Sequence, residues 1–105
     1  MSTLPAGTAA GQRPPAKIER FLAALLDGPK TTRQLELAPV HDHVAHSTAA
    51  ELRRLGVELR SELVEVPGYA GLPARVARYE IPPHARGRAM DVLLAMRERR
   101  LRGGR

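Results

Sequence analysis

Three histidines and an aspartate lie close together in one short segment, and side chains of these types can bind a metal ion. The segment contains His41, Asp42, His43 and His46. His43 and His46 are three positions apart, so on a helix they would share a face. A closed zinc site needs four ligands, and Asp42 is better explained as the N-cap of a helix. We therefore predict no metal and no other cofactor, and keep a site at these histidines as the alternative.

The sequence offers no constellation for covalent catalysis. It contains no cysteine, which excludes a thiolate nucleophile, thiolate metal ligands and disulfides. Ser47 and Ser61 have no histidine and carboxylate at a spacing that indicates a triad, and Gly68 and Gly71 suit a turn better than a phosphate loop. We expect no enzymatic activity.

Two short helices are predicted before the histidine segment. The first follows Pro15 and ends at Gly28-Pro29. Its core-facing stripe consists of Ile18, Phe21, Leu22, Leu25 and Leu26. The second begins near Thr32, because Thr31 and Gln34 have the spacing of a capping box. Pro39 limits it to about two turns, with Leu35 and Ala38 turned toward the core.

A third helix is predicted from His43 to Leu55, with Asp42 as its N-cap and Gly56 as its end. One side carries small and apolar residues and is expected to be buried: Val44, Ala45, Thr48, Ala49, Leu52 and Leu55. The outward side carries His43, His46, Ser47, Ala50, Arg53 and Arg54. This helix would therefore present a polar and basic face to solvent.

The pattern then changes to period two, which predicts two strands at residues 57–66 and 74–81 around a turn at residues 67–73. Beta-branched residues and the paired prolines and glycines favour a hairpin over a helix. A last amphipathic helix is expected from Ala85. The order helix, turn, helix, hairpin is one way of presenting a helix to a DNA groove.

The outer segments differ from this middle part in composition. Residues 1–15 contain almost no large apolar side chain and are predicted to be a disordered tail. The domain is expected at residues 16–82, and an amphipathic basic helix and tail at residues 83–105. No apolar run approaches the ~20 residues of a spanning helix, and we expect a cytoplasmic protein.

The charge is unevenly distributed. The formal net charge is +6, which favours a polyanionic partner. Residues 82–105 carry seven arginines and two acidic residues, whereas residues 41–66 carry three arginines and five acidic residues. The excess of cations therefore lies at the C-terminal end, and the third helix lies in a slightly acidic segment.

Several runs resemble the small winged helix-turn-helix proteins of phages and prophages of Gram-negative bacteria. They are the helix from Ile18 to Leu26, the run TTRQLEL at residues 31–37, the run AAELRRLGV at residues 49–57, and the strand-like runs at residues 62–67 and 74–79. The resemblance covers residues 16–82. It implies an α+β fold of three helices and a two-stranded hairpin wing; the C-terminal helix predicted from Ala85 lies outside the matched residues. It also implies sequence-specific binding of double-stranded DNA, in transcriptional regulation or as an excision-type accessory factor.

If the third helix enters a major groove, its outward residues meet two kinds of DNA group. His43, His46, Ser47 and Ala50 would contact base edges. Arginines of the second and third helices and of the hairpin would contact phosphates and fix the register: Arg33, Arg53, Arg54, Arg75 and Arg78. The alternative for Arg53 and Arg54 is a solvated face paired with Glu51, Glu58 or Glu62.

The last helix has three interpretations. Its apolar residues Met90, Leu93, Leu94 and Leu101 could pack on the first helix or form a homodimer contact, and its terminal arginines could bind phosphate. A different functional class also fits the same fold, namely a protein-binding adaptor or inhibitor that binds a host protein.

Overall fold

The computed structural model describes residues 13–103, which form an α+β fold. In chain order the elements are α1 (Lys17–Leu26), β1 (Lys30–Thr31), α2 (Thr32–Leu35), α3 (Ala45–Arg54), β2 (Arg60–Pro67), β3 (Pro73–Glu80) and α4 (Arg86–Gly103). Two 3-10 turns, Tyr69–Gly71 and Pro83–Ala85, precede β3 and α4. Over this range the fold therefore has four α-helices and a three-stranded antiparallel sheet. Predicted features at residues 1–12 and 104–105, including most of the N-terminal tail, lie outside the described residues.

Helix α1 supplies the centre of the core. Phe21, Leu22 and Leu25 are buried, and Ile18 and Leu26 pack at the edge of the same cluster. The spacing of these residues places them on one side of the helix, as the sequence predicts. Helices α3 and α4 both pack against α1, so the apolar stripe of α1 is covered by two helices that follow it later in the chain.

Helix α2 begins with the predicted capping box. The Gln34 backbone N–H donates to the Thr31 hydroxyl at 3.2 Å, and the Thr31 backbone N–H donates to Gln34 Oε1 at 2.8 Å. Leu35 is fully buried, but Ala38 is exposed, contrary to the prediction. The helix ends at Leu35, so Ala38 lies in the following turn and not on its buried face.

The sheet has one strand more than the sequence predicts. Lys30 and Thr31 form a short strand that pairs with Tyr79 and Arg78 of β3, which gives the strand order β1-β3-β2. The predicted two-stranded hairpin is thus part of a three-stranded sheet. Strand β1 covers the outer edge of β3 at the base of the hairpin, and β2 forms the opposite edge.

Helix α3 starts at Ala45, later than the predicted His43, and Asp42 is not its N-cap. Ala49 and Leu52 are fully buried as predicted, but Val44 and Leu55 are exposed. Both lie at the helix boundaries, where the chain leaves the helical periodicity that predicted their burial. Gly56, with a φ of +95°, turns the chain away after the helix.

Strands β2 and β3 pair in register from Arg60 opposite Glu80 to Pro67 opposite Pro73. Val57 and Leu59 are buried but precede β2, so the first strand begins later than predicted. Leu63, an apolar residue of β2, is 60% exposed. Tyr79 closes the core at the base of the hairpin, and Leu63, farther along β2, extends beyond it.

Helix α4 packs on α1 through Ala89 and Leu93, which are buried. The other three apolar residues of the predicted contact set are outside the core, with Met90 41%, Leu94 52% and Leu101 54% exposed. No helix in the described range 13–103 has the length and apolar composition needed to cross a membrane.

Arginines near the C-terminal end of α4 form ion pairs with a glutamate of α1. The Glu19 carboxylate is buried and accepts hydrogen bonds from Arg100 Nε at 2.9 Å and Arg100 Nη2 at 3.0 Å. Arg97 Nε lies 3.6 Å from the same carboxylate. The basic C-terminal segment is therefore helical as far as Gly103, and Arg97, Arg100 and Arg102 form ion pairs within the protein.

Candidate nucleic-acid interface

The outward side of α3 carries the residues that the sequence proposed for base contact. His46 and Ser47 are exposed, Ala50 is half-buried, and His43 is exposed just before the helix. The buried residues Ala45, Thr48, Ala49 and Leu52 occupy the opposite side. The helical spacing therefore places Ser47, Ala50 and Arg54 on one exposed stripe, with His46 and Arg53 along its edge.

Asp42 fixes the chain where it enters α3. Its side chain is fully buried, Oδ1 accepts a hydrogen bond from the Val44 N–H at 2.8 Å, and Oδ2 accepts one from the Thr48 hydroxyl at 2.5 Å. The Lys17 ammonium lies 3.5 Å from Oδ1. The residue predicted as the helix N-cap is thus a buried carboxylate that joins the loop, α3 and α1.

The loop between α2 and α3 is held from α1 by Arg20. Its Nε and Nη2 donate to the Val40 carbonyl at 3.2 and 2.9 Å, and its Nη1 donates to the Pro15 carbonyl at 2.7 Å. The Asp42 N–H donates to the Leu35 carbonyl at 2.8 Å. These bonds satisfy backbone groups that neither helix pairs, and they set the position of α3 relative to α2.

A shallow groove of about 390 Å³ separates α3 from the hairpin. His46 and Arg53 line it from the helix, and Ser61, Leu63 and Tyr79 line it from the strands. The Tyr79 hydroxyl and His46 Nδ1 are hydrogen-bonded across its floor. The edge of the exposed α3 stripe, at His46 and Arg53, therefore faces one side of the hairpin across this groove.

Tyr79 is neutral under ordinary conditions. Only 2% of the residue is exposed, and burial raises its pKa above the usual value of 10.0. The nearby Arg53 guanidinium opposes this shift and lowers the pKa by a smaller amount. At neutral pH the hydroxyl keeps its proton and remains a hydrogen-bond donor.

Three of the five arginines predicted to contact phosphate are engaged within the protein. Arg33 donates to the Pro67 carbonyl at 2.7 Å, and Arg53 donates to the Leu59 carbonyl at 3.0 Å. Arg78 forms an ion pair of 2.6 Å with Glu62, the residue directly opposite it on β2. The first two contacts join α2 and α3 to β2 and the residues just before it, and the third joins the two strands of the hairpin.

The other two predicted cations, Arg54 and Arg75, are exposed. Within residues 13–103 neither side chain makes a hydrogen bond or an ion pair. Arg54 lies at the C-terminal end of the α3 stripe, and Arg75 lies on β3 opposite Glu65. They are the two predicted cations most readily available to an anionic partner.

The hairpin tip carries exposed apolar residues that the sequence did not indicate as a site. Tyr69 is 93% and Leu72 is 68% exposed. A 2.7 Å bond from the Gly68 N–H to the Leu72 carbonyl closes the turn that presents them. The usable signal was an aromatic residue inside a glycine-rich turn, where the hairpin itself gives it no packing partner.

The side chains of His41, Asp42, His43 and His46 do not form a metal-binding cluster. Among residues 13–103, no three histidine, aspartate or glutamate side chains are close enough to hold an ion. His41 and His43 are exposed, His46 is hydrogen-bonded to Tyr79, and Asp42 is buried under the loop. The four side chains that lie adjacent in sequence thus have separate surroundings.

Comparison of the chain with known protein families, with curated proteins and with solved structures finds no match. The interpretation of this surface therefore depends on its own geometry and chemistry.

Proposed function

We propose that the protein binds double-stranded DNA through a winged helix-turn-helix, with α3 as the helix in the major groove and the β2–β3 hairpin as the wing. The observation that carries the proposal is the outward stripe of Ser47, Ala50 and Arg54 on α3, whose edge at His46 and Arg53 faces the hairpin across a shallow groove. An α-helix fits the width of a major groove, and its outward side chains then reach base edges.

The stripe combines groups that can discriminate between bases. His43, His46 and Ser47 are hydrogen-bonding side chains, and the Ala50 methyl group can contact the methyl group of thymine. Arg54 and Arg75 bind phosphates and fix the register of the helix in the groove. Arg33, Arg53 and Arg78 contribute by holding the hairpin against the helices, and their positive charges add to the local potential.

The biological role that fits this chemistry is that of a phage or prophage transcriptional regulator or an excision-type accessory factor. The competing proposal is an adaptor or inhibitor that uses the same scaffold to bind a protein. It predicts that the exposed apolar residues, and not the arginines, determine binding.

Selection of bound duplexes from a random pool tests the proposal. We expect enrichment of a defined site at low salt, and binding that weakens linearly on a log-log plot against salt concentration. The absence of enrichment, together with duplex affinity no better than that of an unrelated basic protein of similar charge, would contradict DNA binding and favour the adaptor.

We also propose that the exposed stripe of α4 binds a second copy of the chain. Met90, Leu94, Arg97 and Leu101 recur at spacings of four, three and four residues, the pattern of a helix–helix seam. An antiparallel partner helix would place Asp91 of one copy beside the arginine-rich end of the other. The complementary charge favours a second copy, and two DNA-binding units would read a longer site.

Sedimentation equilibrium checks this contact. We expect a dimer for the unmodified chain and a monomer for the Leu94→Asp/Leu101→Asp variant, because the substitutions place charges in an apolar seam. Leu37→Asp is the matched control, since Leu37 is also exposed but follows α2. A monomer at all concentrations, or equal loss of association in the control, would rule out the α4 contact.

A further inference from the structure

The hydrogen bond between Tyr79 and His46 joins a rigid residue to an exposed one. The Tyr79 ring is buried on β3 and packs at 6.1 Å from the Phe21 ring, with an angle of 59° between the ring planes. The His46 ring meets it edge-on at 5.9 Å and 67°. Because the core fixes Tyr79, its hydroxyl defines where His46 Nδ1 must lie.

The proton of the Tyr79 hydroxyl decides which nitrogen of His46 carries hydrogen. Among the described residues, His46 Nδ1 is the hydrogen-bond partner of this hydroxyl. If Nδ1 carried a proton, the hydroxyl would accept it, and the buried hydroxyl proton would have no acceptor in the range 13–103. An unpaired buried donor is costly. The favourable arrangement has the hydroxyl donate to a bare Nδ1, which leaves the proton of neutral His46 on Nε2.

We propose that Tyr79 is a positioning residue that holds His46 as an Nε2–H donor and thereby selects a base with a major-groove acceptor over cytosine at one position of the DNA site. This inference rests on the proposed function. Guanine presents two neighbouring acceptors in the major groove, N7 and O6, and a single N–H can donate to either. Adenine N7 and thymine O4 can each accept one N–H as well, whereas cytosine presents only a donor, so this histidine bonds poorly to cytosine alone. Because Tyr79 is buried, its hydroxyl remains the donor and His46 Nδ1 remains the acceptor of their hydrogen bond.

The tautomer is measured in the protein without DNA. Long-range ¹H–¹⁵N correlation spectra near pH 8 distinguish a protonated from a bare ring nitrogen. We expect His46 to be almost wholly in the Nε2–H form, and Tyr79→Phe to give a mixture of both forms. His43, which is exposed, is the internal control and should not change. A protonated Nδ1 in the unmodified protein, or no change on Tyr79→Phe, would overturn the proposal.

The base preference is then measured on the duplex that the selection identifies. Tyr79→Phe keeps the buried ring, so its thermal unfolding should remain cooperative. We expect His46→Ala to relax the preference at this position by about tenfold and Tyr79→Phe to relax it by a smaller factor, because the tautomer mixture retains some of the Nε2–H donor; the double variant should lose no more than His46→Ala. The salt dependence should not change, since no phosphate contact is lost.

Ser47→Ala is the control for position. Ser47 is the next residue in α3 and lies on the stripe, whereas His46 lies at its edge, so Ser47→Ala should affect a different base pair. Unchanged discrimination against cytosine in Tyr79→Phe would overturn the role of Tyr79 in base selection. If the unmodified protein binds no duplex, the proposed function fails and base selection fails with it. The tautomer measurement still distinguishes that outcome from an incorrect assignment of the hydrogen bond.

Discussion

Replacement of Arg54 and Arg75 by alanine is expected to weaken binding to duplex DNA by about 100-fold at low salt. Each guanidinium is exposed and engaged with no other described side chain, so it can bind a phosphate without breaking an internal contact. A charge-assisted hydrogen bond to a phosphate contributes roughly 1.5 to 3 kcal/mol, and about 1.4 kcal/mol corresponds to a tenfold change. Fluorescence anisotropy with a labelled duplex measures the loss.

The salt dependence gives a second measure of the same change. Loss of two phosphate contacts should reduce the slope of the log-log plot of affinity against salt by about two units. Arg102→Ala is the matched control, because Arg102 is paired with Glu98 near the end of α4. An equal loss of affinity in Arg102→Ala would show that binding depends on total charge and not on the α3 and hairpin surface.

Substitution of Asp42 by alanine is expected to lower the free energy of unfolding by about 3 kcal/mol. The variant leaves the Thr48 hydroxyl and the Val44 N–H without their acceptor, and it leaves Lys17 without its partner. Asp42→Asn retains an acceptor oxygen but loses the charge, so a smaller decrease is expected. Urea unfolding followed by circular dichroism gives both values.

The exposed carboxylate of Asp27 provides the comparison. Asp27→Ala removes the same charge at the end of α1, where no described side chain pairs with it, and should change stability by less than about 0.5 kcal/mol. Equal effects at Asp42 and Asp27 would show that the buried contacts contribute little. Thr48→Val should reproduce part of the Asp42 effect, since it removes one of the two hydrogen bonds.

Local sequence signals predict the helices well because their causes are local. The capping box of Thr31 and Gln34 and the stripe from Phe21 to Leu25 involve residues within one or two turns of each other. Strand β1 has no such signal, because two residues are too few to show a periodicity. Its formation depends on the edge of β3, almost fifty residues later in the chain.

The candidate site shows the same limit. The exposed stripe of α3 follows from helical spacing, and its residues could be proposed from sequence. The internal contacts of Arg33, Arg53 and Arg78 depend on the register of the hairpin and its distance from α2 and α3. The link between His46 and Tyr79 has the same origin, since these residues lie 33 positions apart.

Asp42 illustrates how a correct residue type can receive the wrong role. A short acidic side chain before a helix predicts an N-cap. Here the chain takes two further residues before the helix begins, and the carboxylate turns inward to Thr48 and Lys17. An aspartate suits this position both as an N-cap and as a buried acceptor, so the residue type alone does not distinguish the two roles.

The pairing of Glu19 with Arg100 has a consequence for the order in which the protein assembles during synthesis. The two residues are 81 positions apart, and the Glu19 carboxylate is buried beneath α4. A nascent chain that has exposed only α1 to α3 lacks both the helix that covers this carboxylate and the cation that pairs with it, so Glu19 remains solvated. The surface of α1 around Glu19 is therefore completed only when residue 100 has emerged from the ribosome. An intermediate that has not yet exposed α4 should remain accessible to proteases and chaperones.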